Sequence, residues 1–150
     1  MISKQLVEEF VNQKRIAVVG VSSNPRKFGT SCYTHLKERN YEVIPVNPHV
    51  AEIGGEKCYP DLLSIPNKPD AALIIVPKVE TEKVVKQAHK AGINLLWIQQ
   101  TSETKGALDF CKANKIKVIS GECIMMFTEP VKSLHRFHRF INKIVHRLPA

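Results

Sequence analysis

The residues best suited to chemistry form one continuous stretch, Gly20-Val21-Ser22-Ser23-Asn24-Pro25-Arg26-Lys27-Phe28-Gly29. It follows a short apolar run at 16–20 and precedes an amphipathic stretch, so it reads as a strand-to-helix loop bounded by two glycines. Backbone N–H groups at a helix N-terminus attract phosphate, and glycine lets an anion approach the backbone. Ser22 and Ser23 add hydroxyl donors, while Arg26 and Lys27 add positive charge. The plainer reading is a helix-capping turn with two surface cations; its place after an inner strand favours the phosphate.

The spacing narrows which phosphate. The loop is not Gly-x-x-x-x-Gly-Lys-Ser/Thr, which disfavours an NTPase P-loop, and it is not the dinucleotide fingerprint Gly-x-Gly-x-x-Gly. An NAD-binding domain ends its second strand in Asp or Glu, which accepts from the ribose hydroxyls. Here the corresponding residues are Val46-Asn47-Pro48. Asn47 is neutral and can donate, so a phosphate on the ribose is tolerated where a carboxylate would repel it. Glu52 lies further along the same loop and can substitute, so NAD is disfavoured but stays open.

Other candidates carry less. Cys32 and His35 fall early in the helix after the loop, and a helix N-terminus lowers a thiol pKa. Cys32 is therefore a candidate reactive thiol, against the commoner role of packing on a sheet. Cys123 reads as core. His135 and His138 are three apart and share a helix face, without a carboxylate or cysteine placed to complete a metal site. No Ser-His-acid set and no paired carboxylates stand out, which favours binding over catalysis.

These residues need elements to position them. Leu6, Val7, Phe10 and Val11 recur at helical spacing, with Ser3 as N-cap. Apolar runs at 16–20, 42–46, 71–76, 94–99 and 117–120 read as strands, and Pro77 stops the third. Helices are expected at 30–39, from a Thr81 cap to 91 with Gly92 at its end, and at 103–114. Residues 47–69 read as loop with one helical turn near Leu62. Trp97 falls inside a strand and reads as core.

Strand-helix alternation predicts an α/β fold: a Rossmann-like, doubly wound, five-stranded parallel sheet. The expected order is 3-2-1-4-5, with the first strand central and its end forming the ligand crevice. A long helix is expected at 130–148, where Val131, Leu134, Phe137, Ile141, Val145 and Leu148 recur. Phe137 and Phe140 read as core anchors there.

At 150 residues, the chain is expected to form a single domain, with its core over about 15–126. The net charge is +8, of which +5 lies beyond residue 129, with no carboxylate side chain there. Charge alone leaves nucleotide, nucleic acid and anionic membrane open as partners. The four cysteines contain no Cys-x-x-Cys pair, and the first fourteen residues lack a signal-peptide pattern. Reduced thiols in the cytoplasm are expected.

The segments IAVVGVSSNPRKFG, VIPVNP, EIGGEKCYPDL, IIVP and the tryptophan of LLWIQQ occur in that order and spacing. Together, over about residues 15–126, they resemble the small stand-alone CoA-binding domain proteins, which are similar to the N-terminal domain of the succinyl-CoA ligase α subunit. The resemblance implies coenzyme A as ligand. Gly20, Val21, Ser22, Ser23, Arg26, Lys27, Phe28 and Gly29 would hold its phosphates, and Asn47 and Pro48 would lie beside the adenosine ribose. Val76 and Pro77 would flank the adenine or pantetheine path, and Gln99 and Gln100 would close the far side. The ligase's phosphorylated histidine belongs to another domain and has no counterpart in the matched region. Gln100-Thr101-Ser102 departs from the expected Leu-Gly-type turn.

The leading expectation is therefore non-catalytic binding of coenzyme A or an acyl-CoA. A small molecule is the expected partner, with no metal, nucleic acid or membrane, and a homodimer is possible. The alternatives are an NAD(P)-binding redox or metabolite sensor and a CoA-dependent acyl transferase.

Overall fold

The computed structural model describes residues 3–128. The helix expected at 130–148, with His135, His138, Phe137 and Phe140, lies outside the described residues. In chain order the elements are α1 (Lys4–Val11), β1 (Arg15–Val19), α2 (Phe28–Glu38), β2 (Glu42–Val46), β3 (Glu52–Ile53) and β4 (Glu56–Lys57). They continue with β5 (Ala71–Ile74), α3 (Lys78–Lys90), β6 (Leu95–Gln99), α4 (Lys105–Ala113) and β7 (Lys117–Glu122). Short 3₁₀ turns follow β4 at Leu62–Ser64 and β7 at Ile124–Met126.

Five parallel strands form one sheet in the order β2-β1-β5-β6-β7. This corrects the expected 3-2-1-4-5: counted among the long strands, the order is 2-1-3-4-5, and the third strand pairs with the first. Pro45 supplies the reason. Within a strand a residue's N–H and C=O share a side, and the Pro45 carbonyl accepts from Tyr59 N–H at 3.0 Å on the outer side of β2. The missing N–H of Pro45 therefore faces outward, where a sheet tolerates proline. The Asn47 N–H to Tyr59 carbonyl bond, 2.9 Å, closes the same edge. β5 adds to the open side of β1, and β1 is second from the edge.

β1, β2, β5 and β6 bury residues on both faces. Ile16 and Val18 point to the side of α1 and α2, together with Trp97, while Ala17 and Val19 point to the side of α3 and α4. Trp97 is fully buried, stacks edge-on against Phe10 with ring centres 5.3 Å apart, and donates from Nε1 to the Glu122 carbonyl at 2.9 Å.

Several boundaries differ from the sequence reading. α2 starts at Phe28, two residues earlier than expected. α3 starts at Lys78 with Pro77 as its N-cap, so Thr81 is not the cap. Instead Thr81 is buried inside the helix, and its hydroxyl donates to the Ser102 carbonyl at 2.6 Å. α4 is capped by Thr104, whose side chain accepts from Ala107 N–H. The Ser3 cap and the helical turn at Leu62 are present as expected. Within the expected loop 47–69, β3 and β4 form a hairpin across Gly54 and Gly55, which take φ of 57° and 82°. Two positive φ values in a row suit the type I′ turn that joins twisted strands.

Candidate functional site

In a parallel sheet the crevice opens where successive strands leave in opposite directions. Here that point lies between β1 and β5, at their carboxyl ends. An open cleft of about 380 Å³ occupies it, and its lining continues to the end of β6. Gly20, Ser22, Lys27, Phe28, Gly29, Val76, Pro77, Gln99 and Gln100, all among the candidate residues, line it. Ile75, Thr101 and Ser102 line it too, beyond the residues expected to contact a ligand.

The two glycines hold the loop by packing. Gly20 has φ of 107°, and a Cβ there would lie 1.7 Å from the Ile75 carbonyl oxygen. A Cβ on Gly29 would lie 2.1 Å from the Gly20 carbonyl oxygen. The start of α2 thus rests on the end of β1, and the end of β1 rests on the end of β5.

Side chains then shape the loop between them. The Thr30 hydroxyl accepts from Ser22 N–H at 3.2 Å and donates to the Ser22 carbonyl at 2.8 Å. Ser22 Oγ accepts from Asn24 N–H, and Asn24 Oδ1 accepts from Arg26 N–H. Lys27 is the N-cap of α2 and provides no side-chain cap. Among the described residues, the amides of Phe28, Gly29 and Thr30 meet no acceptor, and the first helical bond is Ser31 N–H to the Lys27 carbonyl. α1 and α4, by contrast, are capped by Ser3 and Thr104. The arrangement presents free backbone donors, the helix dipole and the exposed Lys27 to the cleft, which is the equipment of an anion site.

Val21, Ser23, Arg26, Asn47 and Pro48 are not among the residues that line the cleft. Val21 is buried in the core, and Ser23 and Arg26 are exposed on the loop. Asn47 is committed to the protein itself: its Nδ2 donates to the Val21 carbonyl at 2.7 Å and its Oδ1 accepts from His49 N–H at 2.8 Å. Pro48 is exposed beside it. At the far end, Gln99 is buried and its Oε1 accepts from Ile124 N–H at 3.1 Å, while Gln100 is exposed. Thr101 has φ of 76°, a left-handed conformation that a glycine would take at less cost. The departure from a Leu-Gly-type turn noted in the sequence therefore places a β-branched residue where the backbone favours glycine.

Cys32 is buried in the core, not exposed in the cleft. Burial, with the nearby Cys123 adding to it, pushes its thiol up to about 12, opposite to the activated thiol considered from its place near a helix start. Desolvation of the thiolate outweighs the helix dipole there. No group of three potential metal ligands occurs among the described residues, and no helix among them is long and apolar enough to cross a membrane.

A doubly wound parallel sheet with a glycine-bounded loop at its switch point defines a domain of the Rossmann kind. The family is narrower: the CoA binding domain model matches residues 14–129, and the chain belongs to that family. A conserved hypothetical protein from Pyrococcus furiosus shares 36% identity and superposes with a TM-score of 0.72, covering 75% of this chain and 97% of its own. The uncharacterized protein YneT of Bacillus subtilis is 28% identical over 123 residues, which is 81% of this chain and 91% of YneT. The ADP-forming acetate–CoA ligase of Methanocaldococcus jannaschii is 35% identical over 80 residues, 53% of this chain. That match spans 11% of the ligase's length.

Proposed function

We propose that the cleft binds coenzyme A or an acyl-CoA as a cytoplasmic binding module that performs no chemistry of its own. The observation that carries the reading is the uncapped start of α2, open to the cleft beside Lys27, in a chain of the CoA binding domain family. The diphosphate takes the free amides of α2 and the Lys27 ammonium. The adenosine lies toward the β2 end, near Asn47 and Pro48, and the pantetheine arm runs over β5 toward Gln99 and Gln100. Two further features support a binding role. Among the described residues that line the cleft none is His, Cys, Asp or Glu, and the titratable Lys27 is assigned to the diphosphate, which favours binding over catalysis. The four cysteines are free, in keeping with a reducing compartment.

Calorimetry with coenzyme A, NAD, NADP and ATP in one buffer tests the reading. Coenzyme A is expected to bind most tightly. Lys27→Ala is expected to weaken it by about 1.5–3 kcal/mol, the size of a charge-assisted contact, without lowering the melting temperature. Tighter binding of NAD would overturn the assignment, and unchanged affinity in Lys27→Ala would move the phosphates elsewhere.

A further inference from the structure

Phe28 is the first residue of α2, lines the cleft, and is 47% exposed. An aromatic ring left half in water beside an anion site does nothing for the anion, and its apolar surface gains by being covered. It has apolar company: Val76 and Pro77 line the same cleft, and Val76 Cγ1 would lie 3.4 Å from a Cβ on Gly20, beside the seat of Gly29. Sheet order then sets a sequence of surfaces. The free amides of α2 and this apolar group lie over β1 and β5, and the polar Gln100, Thr101 and Ser102 follow over β6.

Resting on the coenzyme A reading, we infer that Phe28 is a specificity residue that recognises the apolar start of the pantetheine arm. In coenzyme A the group next to the diphosphate is a gem-dimethyl carbon, followed by two amides. That succession of charged, apolar and polar groups matches the succession along the cleft. A dinucleotide places a hydroxylated ribose at the same distance from its diphosphate, and an adenine nucleotide places nothing there. The ring thereby favours coenzyme A over other ligands that satisfy the phosphate donors equally well.

The test is calorimetry on the full chain with two probes, coenzyme A and adenosine 3′,5′-bisphosphate, which lacks the arm. Phe28→Ala is expected to weaken coenzyme A about tenfold, Phe28→Leu to stay within about threefold of the parent, and the bisphosphate to be unaffected by either. Melting curves of both variants check that the fold is intact. Equal losses for both probes would place the ring against the adenosine end and overturn the inference. So would no loss for either probe, because the ring would then serve another surface. A parent protein that binds neither probe would overturn the site reading itself, and the inference with it.

Discussion

The Asn47 amide donates to the Val21 carbonyl at 2.7 Å, so the end of β2 holds the first residue after β1 in place. Val21 opens the loop before α2, and the Thr30 hydroxyl bonds both the N–H and the carbonyl of the next residue, Ser22. Asn47 acts on the site through the backbone of the loop.

Asn47→Asp removes that donor and sets a carboxylate against a carbonyl oxygen. It is expected to cost about 1–3 kcal/mol of stability, the price of a buried acceptor left unpaired. Because the loop is disturbed as a whole, dephospho-coenzyme A should weaken, and coenzyme A, whose ribose phosphate is proposed to lie near residue 47, should weaken further by charge repulsion. Thermal melts and calorimetry check both points. Equal losses for the two ligands would instead put the ribose phosphate away from residue 47.

Gly20→Ala is expected to damage folding before it affects any ligand. Its Cβ would fall 1.7 Å from the Ile75 carbonyl oxygen, a backbone atom that cannot swing aside, at a φ of 107°. A loss of about 3 kcal/mol or more is expected from clash and strain together. Gly54→Asn is the control: its position has φ of 57°, which asparagine tolerates, and nothing lies within 4 Å of the added atom. Comparable melting temperatures for the two variants would contradict this account.

Glu56 joins the hairpin to α2. Its carboxylate accepts from the Tyr33 hydroxyl at 2.7 Å and from the Lys37 ammonium. The Lys37 and then the Tyr33 hydrogen bonds hold its pKa below the ordinary carboxylate value. A depressed acid pKa means stability that is present above the unfolded-state pKa and is lost as pH falls through the folded one. The parent should therefore exceed Glu56→Gln in stability near neutral pH, and the two should converge in acid below the usual carboxylate range. The pair is solvent-accessible, so the difference should be under about 1 kcal/mol. Denaturation at several pH values measures it, and a gap that widens in acid would reverse the sign.

Thiol labelling of the folded protein should reach Cys123 first. Cys32 and Cys111 are buried, and burial pushes their thiols up to about 12 and about 11. Cys123 is partly exposed. Mass spectrometry after a short maleimide pulse should find one modified site among these three at neutral pH, and all three after denaturation. Early labelling of Cys32 would show that α2 opens readily.

The local chemistry of the chain was legible without a structure. Apolar runs with helical stretches between them identify the five long strands and the parallel sheet, and Ser3 and the Leu62 turn announce themselves by residue type. The loop after β1 was recognisable because glycines, hydroxyls and cations together suit an anion. Gly54-Gly55 carries a hairpin signal as well, but strands of two residues have too few positions to show the alternation that would support it.

Relations between distant segments were decided by the fold. Pro45 favours an edge strand, but only the closing of that edge by Tyr59 sends β5 to the other side of β1. Gly20 and Gly29 looked suited to a ligand's approach, while their necessity comes from Ile75 and from each other. Asn47 stands where a ribose partner is expected, and the bond from its amide to Val21 is visible only in the fold. Each side chain has few hydrogen-bonding positions, and which partner fills them depends on what the chain brings near. Residue type sets what a group can do; tertiary contact decides which of those capacities remains free for a ligand.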